Sequence, residues 1–301
     1  MHQAPAVKQT KRDKVGRTLV PYTFIAPNFL GFCLFTLIPI TFSLILAFTE
    51  WDGVHPVRFI GLDNFIRMSG DAKFIKSFWN TIIYVLGTAP LTVVTSLGLA
   101  LLLNERIAGR NIFRTICFFP YVASLVAVAA VWNFLFSPTM GPINQILSRL
   151  GVENLPKWAT GKDTAMITVI LFSVWKNMGY YMIIFLAGLQ GVDPNLYEAA
   201  ALDGAGAWKR FLHVTIPQLS STTFFVLIMV VIQCFKVFDQ VYMITQGGPG
   251  TSTLVLVYEI YNEAFVGAPE YGYSSAISMV LFLMVLLVTI VQFRFQQKHD
   301  S

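Results

Sequence analysis

The sequence predicts an all-α integral membrane protein with six transmembrane helices, and three observations predict it. Of 301 residues, 55% are hydrophobic and only 12% charged, against about 25% charged in soluble domains. Mean hydropathy is +0.63. The apolar residues gather in long runs, and at roughly 20 residues per crossing the chain holds about six spans with loops between them. That leaves no room for a large soluble domain. The net charge of +5 comes from basic residues beside apolar runs, not from an aromatic-laced patch. They are topology signals, and nucleic acid is not the expected partner. Cys33, Cys117 and Cys234 each lie inside an apolar run without metal-ligand spacing, as core residues do.

Residues 1–21 carry Lys8, Lys11, Arg12, Lys14 and Arg17 against Asp13 and predict a basic cytoplasmic tail, leaving 22–301 as the membrane domain. The first span, about 24–48, is too long for a signal peptide and has Pro27 and Pro39 as expected kinks. An external loop with four acidic and four basic residues covers 50–77. The second span is expected over about 78–103, then a basic cytoplasmic loop with Arg106, Arg110 and Arg114. The third runs on through Pro120 to about residue 136, and Ser137-Pro138 and Gly141-Pro142 open an external loop at 137–165 with short interfacial helices. The fourth covers about 166–189, the fifth about 217–244 and the sixth about 275–295. Gly247-Gly248-Pro249-Gly250 is a turn and not a phosphate loop, since no Gly-Lys-Ser/Thr follows. With both termini inside, the inner segments hold twelve of the 21 Lys and Arg residues, and the outer loop at 245–274 holds none.

Between the fourth and fifth spans lies a polar elbow, 193–216. Asp193 can cap a helix with Pro194 in its first turn, Gly204 and Gly206 can end that helix, and Trp208, Phe211 and Leu212 continue at helical spacing into Pro217. Charged and amide groups inside the spans point to a cavity or a partner, because a charge at mid-membrane costs about 2.5–3.5 kcal/mol. Lys176, Asn177 and Tyr180 lie in the fourth span. Gln233, Lys236, Asp239 and Gln240 lie in the fifth, on one face of an unbroken helix. As a set they predict a translocation path. A structural reading stays open for single residues: Lys236 can pair with Asp239, and Lys176 can snorkel.

The elbow resembles the EAA loop of the membrane subunits of binding-protein-dependent ABC importers. Glu198, Ala199, Ala200, Asp203, Gly204 and Ala205 match its first half, and Val214, Ile216 and Pro217 its second. Phe59-Ile60-Gly61-Leu62-Asp63-Asn64-Phe65 and Asn80-Thr81 are similar to segments of carbohydrate-importer permeases. The resemblance implies a type I ABC importer permease of the carbohydrate-uptake kind, multi-pass in a prokaryotic plasma membrane with cytoplasmic termini. It implies that Glu198, Ala199, Ala200, Asp203 and Gly204 couple the chain to a cytoplasmic ATPase dimer. ATP and Mg would bind there, and this chain would bind no cofactor and catalyse nothing. Further partners would be the lipid bilayer, a second permease (expected to be distinct) and an external solute-binding protein. In the maltose-type permease, sugar-holding positions match Asn177, Tyr180, Val230, Gln233, Cys234 and Val237, and only Tyr180 keeps its identity. A sugar or oligosaccharide is the expected substrate. Lys176 and Lys236 leave a glycerol phosphate or other anionic polyol as the alternative. The rival classes are an ion-coupled carrier using Asp239 and an intramembrane enzyme. No nucleophile–base pair or metal-ligand cluster in the spans speaks for the enzyme, and His2, His55, His213 and His299 all lie outside them.

Overall fold

The computed structural model describes residues 11–105 and 107–299, with side chains described from 22 to 297 except 106. Lys8 and Arg106 of the expected basic segments lie outside the described residues.

The first span is α1 (Lys11–Phe32), a π-helical turn at Cys33–Leu37 and α2 (Ile38–Leu46). Pro39 explains the turn. It has no N–H and its ring crowds the carbonyl four residues back, so the helix widens and Ile38 donates to the Cys33 carbonyl five residues away. Pro27 leaves α1 unbroken, and helix already runs from Lys11, within the segment expected to be a tail. Among the described side chains this span packs on the rest of the chain mainly near its end, where α2 meets the last helix, and most of its large apolar side chains are exposed.

A two-stranded antiparallel hairpin follows, β1 (Thr49–Glu50) and β2 (Arg58–Phe59), then α3 (Asp63–Gly70). Buried Asn64 ties α3 to the chain before it, donating to the Ala47 and Thr49 carbonyls at 3.0 and 2.9 Å. Asp71 caps α4 (Ala72–Asn104) by accepting the Lys73 N–H. The second span therefore begins six residues earlier than hydropathy alone suggests, because the cap sets the start.

The third span is two helices, α5 (Arg110–Val122) and α6 (Leu125–Leu135), meeting at 99°. The single helix expected through Pro120 is thus corrected: the backbone turns extended at Ala123, three residues beyond the proline. In the next loop α7 (Pro142–Arg149) is held through Asn144, which donates to the Pro138 and Pro156 carbonyls and accepts from the Trp158 indole. Then comes α8 (Ala165–Gln190), the most enclosed span, packed on α4 and α5. Gly179 makes the second contact possible. A Cβ there would sit 1.9 Å from the Cys117 carbonyl oxygen.

The elbow is α9 (Pro194–Leu202), α10 (Ala207–Arg210), a π turn at Phe211–Thr215 and α11 (Ile216–Gln218). The chain bends by 68° into α12 (Ser220–Phe235) and breaks again before α13 (Asp239–Ile244). The fifth span is thus not the continuous helix expected over 217–244. Pro217 repeats the device of Pro39. Ile216 donates to the Phe211 carbonyl five residues back, and Pro217 belongs to the elbow's second arm instead of the first turn of α12. α14 (Leu256–Phe265) lies in the following loop, and α15 (Tyr271–His299) is the sixth span. Among the described residues, four helices are long and apolar enough to cross a membrane, six if each bent pair is one span. At one end of the bundle α4 and α15 are clamped: Tyr273 Oη donates to Asp71 at 2.6 Å, and Arg67 pairs with Glu270 while lying 4.0 Å over the Tyr273 ring. Burial opposes it, but the hydrogen bonds from Tyr273 and the Lys73 and Phe74 backbone hold the Asp71 carboxyl below its usual range.

Candidate functional site: a bare elbow and a closed polar cleft

Two places carry the chemistry. The first is the elbow. Asp193 Oδ1 accepts the Asn195 N–H at 2.9 Å and Pro194 starts α9, as the cap chemistry predicts. At the other end Gly204 has φ +77°, with Gly204 N–H on the Ala201 carbonyl and Ala205 N–H on the Ala200 carbonyl. This is the paired-bond helix stop that favours glycine, because a side chain in that backbone region crowds its own carbonyl. Tyr197 and Thr215 hydroxyls, 3.1 Å apart, tie the two arms together. No residue of α9 is buried. Glu198, Ala199 and Asp203 are exposed, Ala200 is half-buried, and Leu202 and Trp208 stand 91% and 69% exposed. A capped, tied helix that buries nothing of its own is a presented surface.

The second place is a cleft among α4, α8 and α12. Asn177, Gln233, Cys234 and Gln240 line it, together with Tyr84, Thr88, Thr92, Tyr181 and Val230. Its volume is about 10 Å³, so it is shut. Asn177 donates to the Ser173 carbonyl and Tyr84 to the Ser173 hydroxyl, which fixes α4 against α8 beside the cleft.

The remaining expected path residues are elsewhere. Lys176 is buried with its ammonium on the carbonyls of Pro120 (2.9 Å), Ala123 (3.1 Å) and Tyr121 (3.5 Å). It neither snorkels nor faces the cleft. It fills the hydrogen-bond gap left where α5 stops, the condition for broken helix inside a membrane protein. Tyr180 stacks on Tyr121 at 4.5 Å and meets Tyr181 edge-on. Val237 is buried in the core, and Lys236 and Asp239 are exposed at the break between α12 and α13. They form no ion pair with each other, because the helix that would have set them three apart on one face ends at Phe235. Tyr84, Thr88 and Thr92 of the second span were the residues missed. Their polar side chains at spacings of four were the available signal, hidden by the span's high hydropathy.

A helical membrane protein with broken spans, a closed polar cleft and a capped helix presented at one end has the build of a transporter's membrane subunit. The chain belongs to the binding-protein-dependent transport system inner membrane component family, whose model matches residues 92–300. Among relatives, it is 35% identical over 284 residues to the sn-glycerol-3-phosphate transport system permease protein UgpA of Yersinia pestis, covering 93% of this chain and 94% of that one. It is 36% identical over 276 residues to the lactose transport system permease protein LacF of Rhizobium radiobacter, covering 90% and 92%. Its fold matches a chain of a crystal structure of a bacterial ABC transporter that imports the acidic polysaccharide alginate, with TM-score 0.84, 24% identity and coverage of 96% and 98%. The fold is that of a type I ABC importer permease.

Proposed function

We propose that this permease forms half of an ATP-driven import path for a sugar or oligosaccharide. The carrying observation is the cleft, whose lining is amide, hydroxyl and phenol, with one thiol and one valine and no charged side chain. Such groups exchange hydrogen bonds with neutral hydroxyls without the desolvation of a fixed charge. The two lysines that favoured an anionic ligand are not there: Lys176 is committed to the α5 carbonyls and Lys236 is outside the cleft. Asp239, the carboxylate an ion-coupled carrier would need, is outside it too. The lactose permease relative supports the neutral-sugar reading.

Glu198, Ala199, Ala200, Asp203 and Gly204 would meet a cytoplasmic ATPase dimer, which would bind ATP and Mg. Closure of that dimer would move the elbow, and the bends at Leu219 and Ala123 would pass the movement to the spans. The termini would share the elbow's side of the membrane. A second, distinct permease would complete the path, and a solute-binding protein would deliver sugar to the opposite face. There the hairpin, α3 and the start of α15 enclose a cavity of about 620 Å³ lined by Trp51, Arg58, Arg67 and Glu270. A related arrangement supports this: the alginate transporter has been solved with its pentasaccharide-bound periplasmic protein.

The test is purification of the tagged chain in mild detergent from its native membrane, identification of co-purifying chains, and uptake in proteoliposomes. A second permease, an ATPase pair and uptake of neutral sugars that requires ATP on the elbow's side are expected. Uptake abolished by an ionophore and indifferent to ATP would overturn the reading.

A further inference from the structure

Hydroxyls buried in the spans are satisfied in different ways. Thr81, Thr168 and Ser173 each donate to the carbonyl four residues back, at 2.8–3.0 Å, the usual way a helix satisfies such a group. Thr88, Thr92 and Ser96 do not. They are 2%, 1% and 0% exposed, and none makes a hydrogen bond of ordinary geometry among the described residues; Thr88 has beside it only the Tyr84 phenol, which already donates to Ser173. Spacing of four puts all three on one stripe of α4. Thr88 and Thr92 line the closed cleft, across from Asn177 and Gln233. Ser96 lies one turn further toward the Asn104 end.

A buried hydroxyl without a partner costs stability, whereas valine in place of threonine, or alanine in place of serine, would fill nearly the same space at no such cost. Three in register, aimed between α4 and its neighbours, mark groups whose partners arrive when the helices separate. Pro90 lies between Thr88 and Thr92 and removes one backbone hydrogen bond of α4, which eases that separation.

We propose that Thr88, Thr92 and Ser96 form a hydroxyl track along α4. It hands the hydroxyls of a neutral carbohydrate from the Asn177–Gln233 level of the cleft toward the Asn104 end of the span. The inference rests on the sugar-import reading above and adds the second span to the path. A hydroxyl both donates and accepts, so it suits ligand hydroxyls of any orientation. Each is a single weak contact, which allows release to the next. Water shares this chemistry, and the experiment separates the two.

The assembled importer is used, with its second permease, ATPase and binding protein, in proteoliposomes. In one arm Thr92→Cys and Ser96→Cys are treated with a membrane-impermeant methanethiosulfonate, with and without ATP and vanadate. The unsubstituted chain, with its own three cysteines, runs in parallel. Labelling above that background in at least one nucleotide state is expected, and its absence in every state overturns the track. In the other arm the double variant Thr92→Val, Ser96→Ala is assayed with a panel of radiolabelled neutral mono-, di- and trisaccharides that includes lactose. Uptake about tenfold lower is expected, with ATPase stimulation by the binding protein held within roughly twofold and uptake restored by Thr92→Ser with native Ser96. Positions that label while the double variant takes up sugar normally would mean a water-lined stripe only and would overturn the sugar track. If the unsubstituted importer takes up no sugar of the panel, the sugar reading fails and the track's ligand with it. Labelling at 92 and 96 distinguishes that result from failure of the track alone.

Discussion

The Lys176 ammonium on α8 donates to the Pro120 carbonyl on α5 at 2.9 Å, and to the Ala123 carbonyl at 3.1 Å, at the bend itself. One side chain thus satisfies carbonyls left open at a 99° break. Lys176→Met should orphan those carbonyls and destabilise the protein by roughly 3 kcal/mol, a melting temperature about 6–10 °C lower in detergent. Lys176→Arg should recover part of the loss. A stable Lys176→Met protein with altered sugar preference would return Lys176 to the path.

Gly179 and Gly98 make a matched pair. A Cβ at Gly179 meets the Cys117 backbone at 1.9 and 2.6 Å, whereas one at Gly98 meets nothing within 4 Å. Gly179→Ala should force α5 and α8 apart and cost about 3 kcal/mol. Gly98→Ala should be neutral or stabilise by up to about 1 kcal/mol, from helix propensity. Thermal unfolding of the two variants side by side checks both, and equal stability would refute the close contact.

At Gly204 the constraint is the backbone and not space, since φ is +77° and an added Cβ would touch nothing. Asparagine visits that region at small cost and valine does not. Gly204→Asn should keep uptake coupled to ATP hydrolysis. Gly204→Val should insert normally but hydrolyse ATP with uptake lost or about tenfold lower, as should Glu198→Ala, by removing the contact proposed with the ATPase. Normal uptake by Gly204→Val and Glu198→Ala would refute the elbow's role.

Glu259 on α14 is fully buried, with one carboxylate oxygen unpartnered among the described residues. Burial pushes its pKa up, and neighbouring Glu263 adds to the effect. A carboxyl with a raised folded pKa binds its proton more tightly in the folded state. Its contribution is therefore favourable at low pH and is lost as pH rises through the folded value. Glu259→Gln should raise the melting temperature at pH 8 by about 3 °C or more and change it less at pH 4, below the ordinary carboxylate value. A larger gain at pH 4 would show the sign to be wrong.

The elbow was legible because its signals are local. Asp193, Pro194 and Gly204 each act on hydrogen bonds within one turn, and the structure puts each at its cap position. The cleft was half legible. Asn177, Gln233, Cys234 and Gln240 do meet, but Lys236 and Asp239 were placed by a periodicity that fails where α12 ends. Thr88 and Thr92 were overlooked because two hydroxyls hardly lower the hydropathy of a 33-residue span.

The sequence by itself determined the number of apolar runs and the capped elbow, since hydropathy, cap hydrogen bonds and glycine dihedrals depend only on near neighbours in the chain. Only the tertiary structure decided where the third and fifth spans break and what each polar group in them does. A lysine in an apolar helix needs acceptors, and whether these are a ligand's or a backbone's depends on which helix packs beside it. For Lys176 they lie at Pro120, 56 residues away, at a bend that stands because α5 packs against α8 through Gly179.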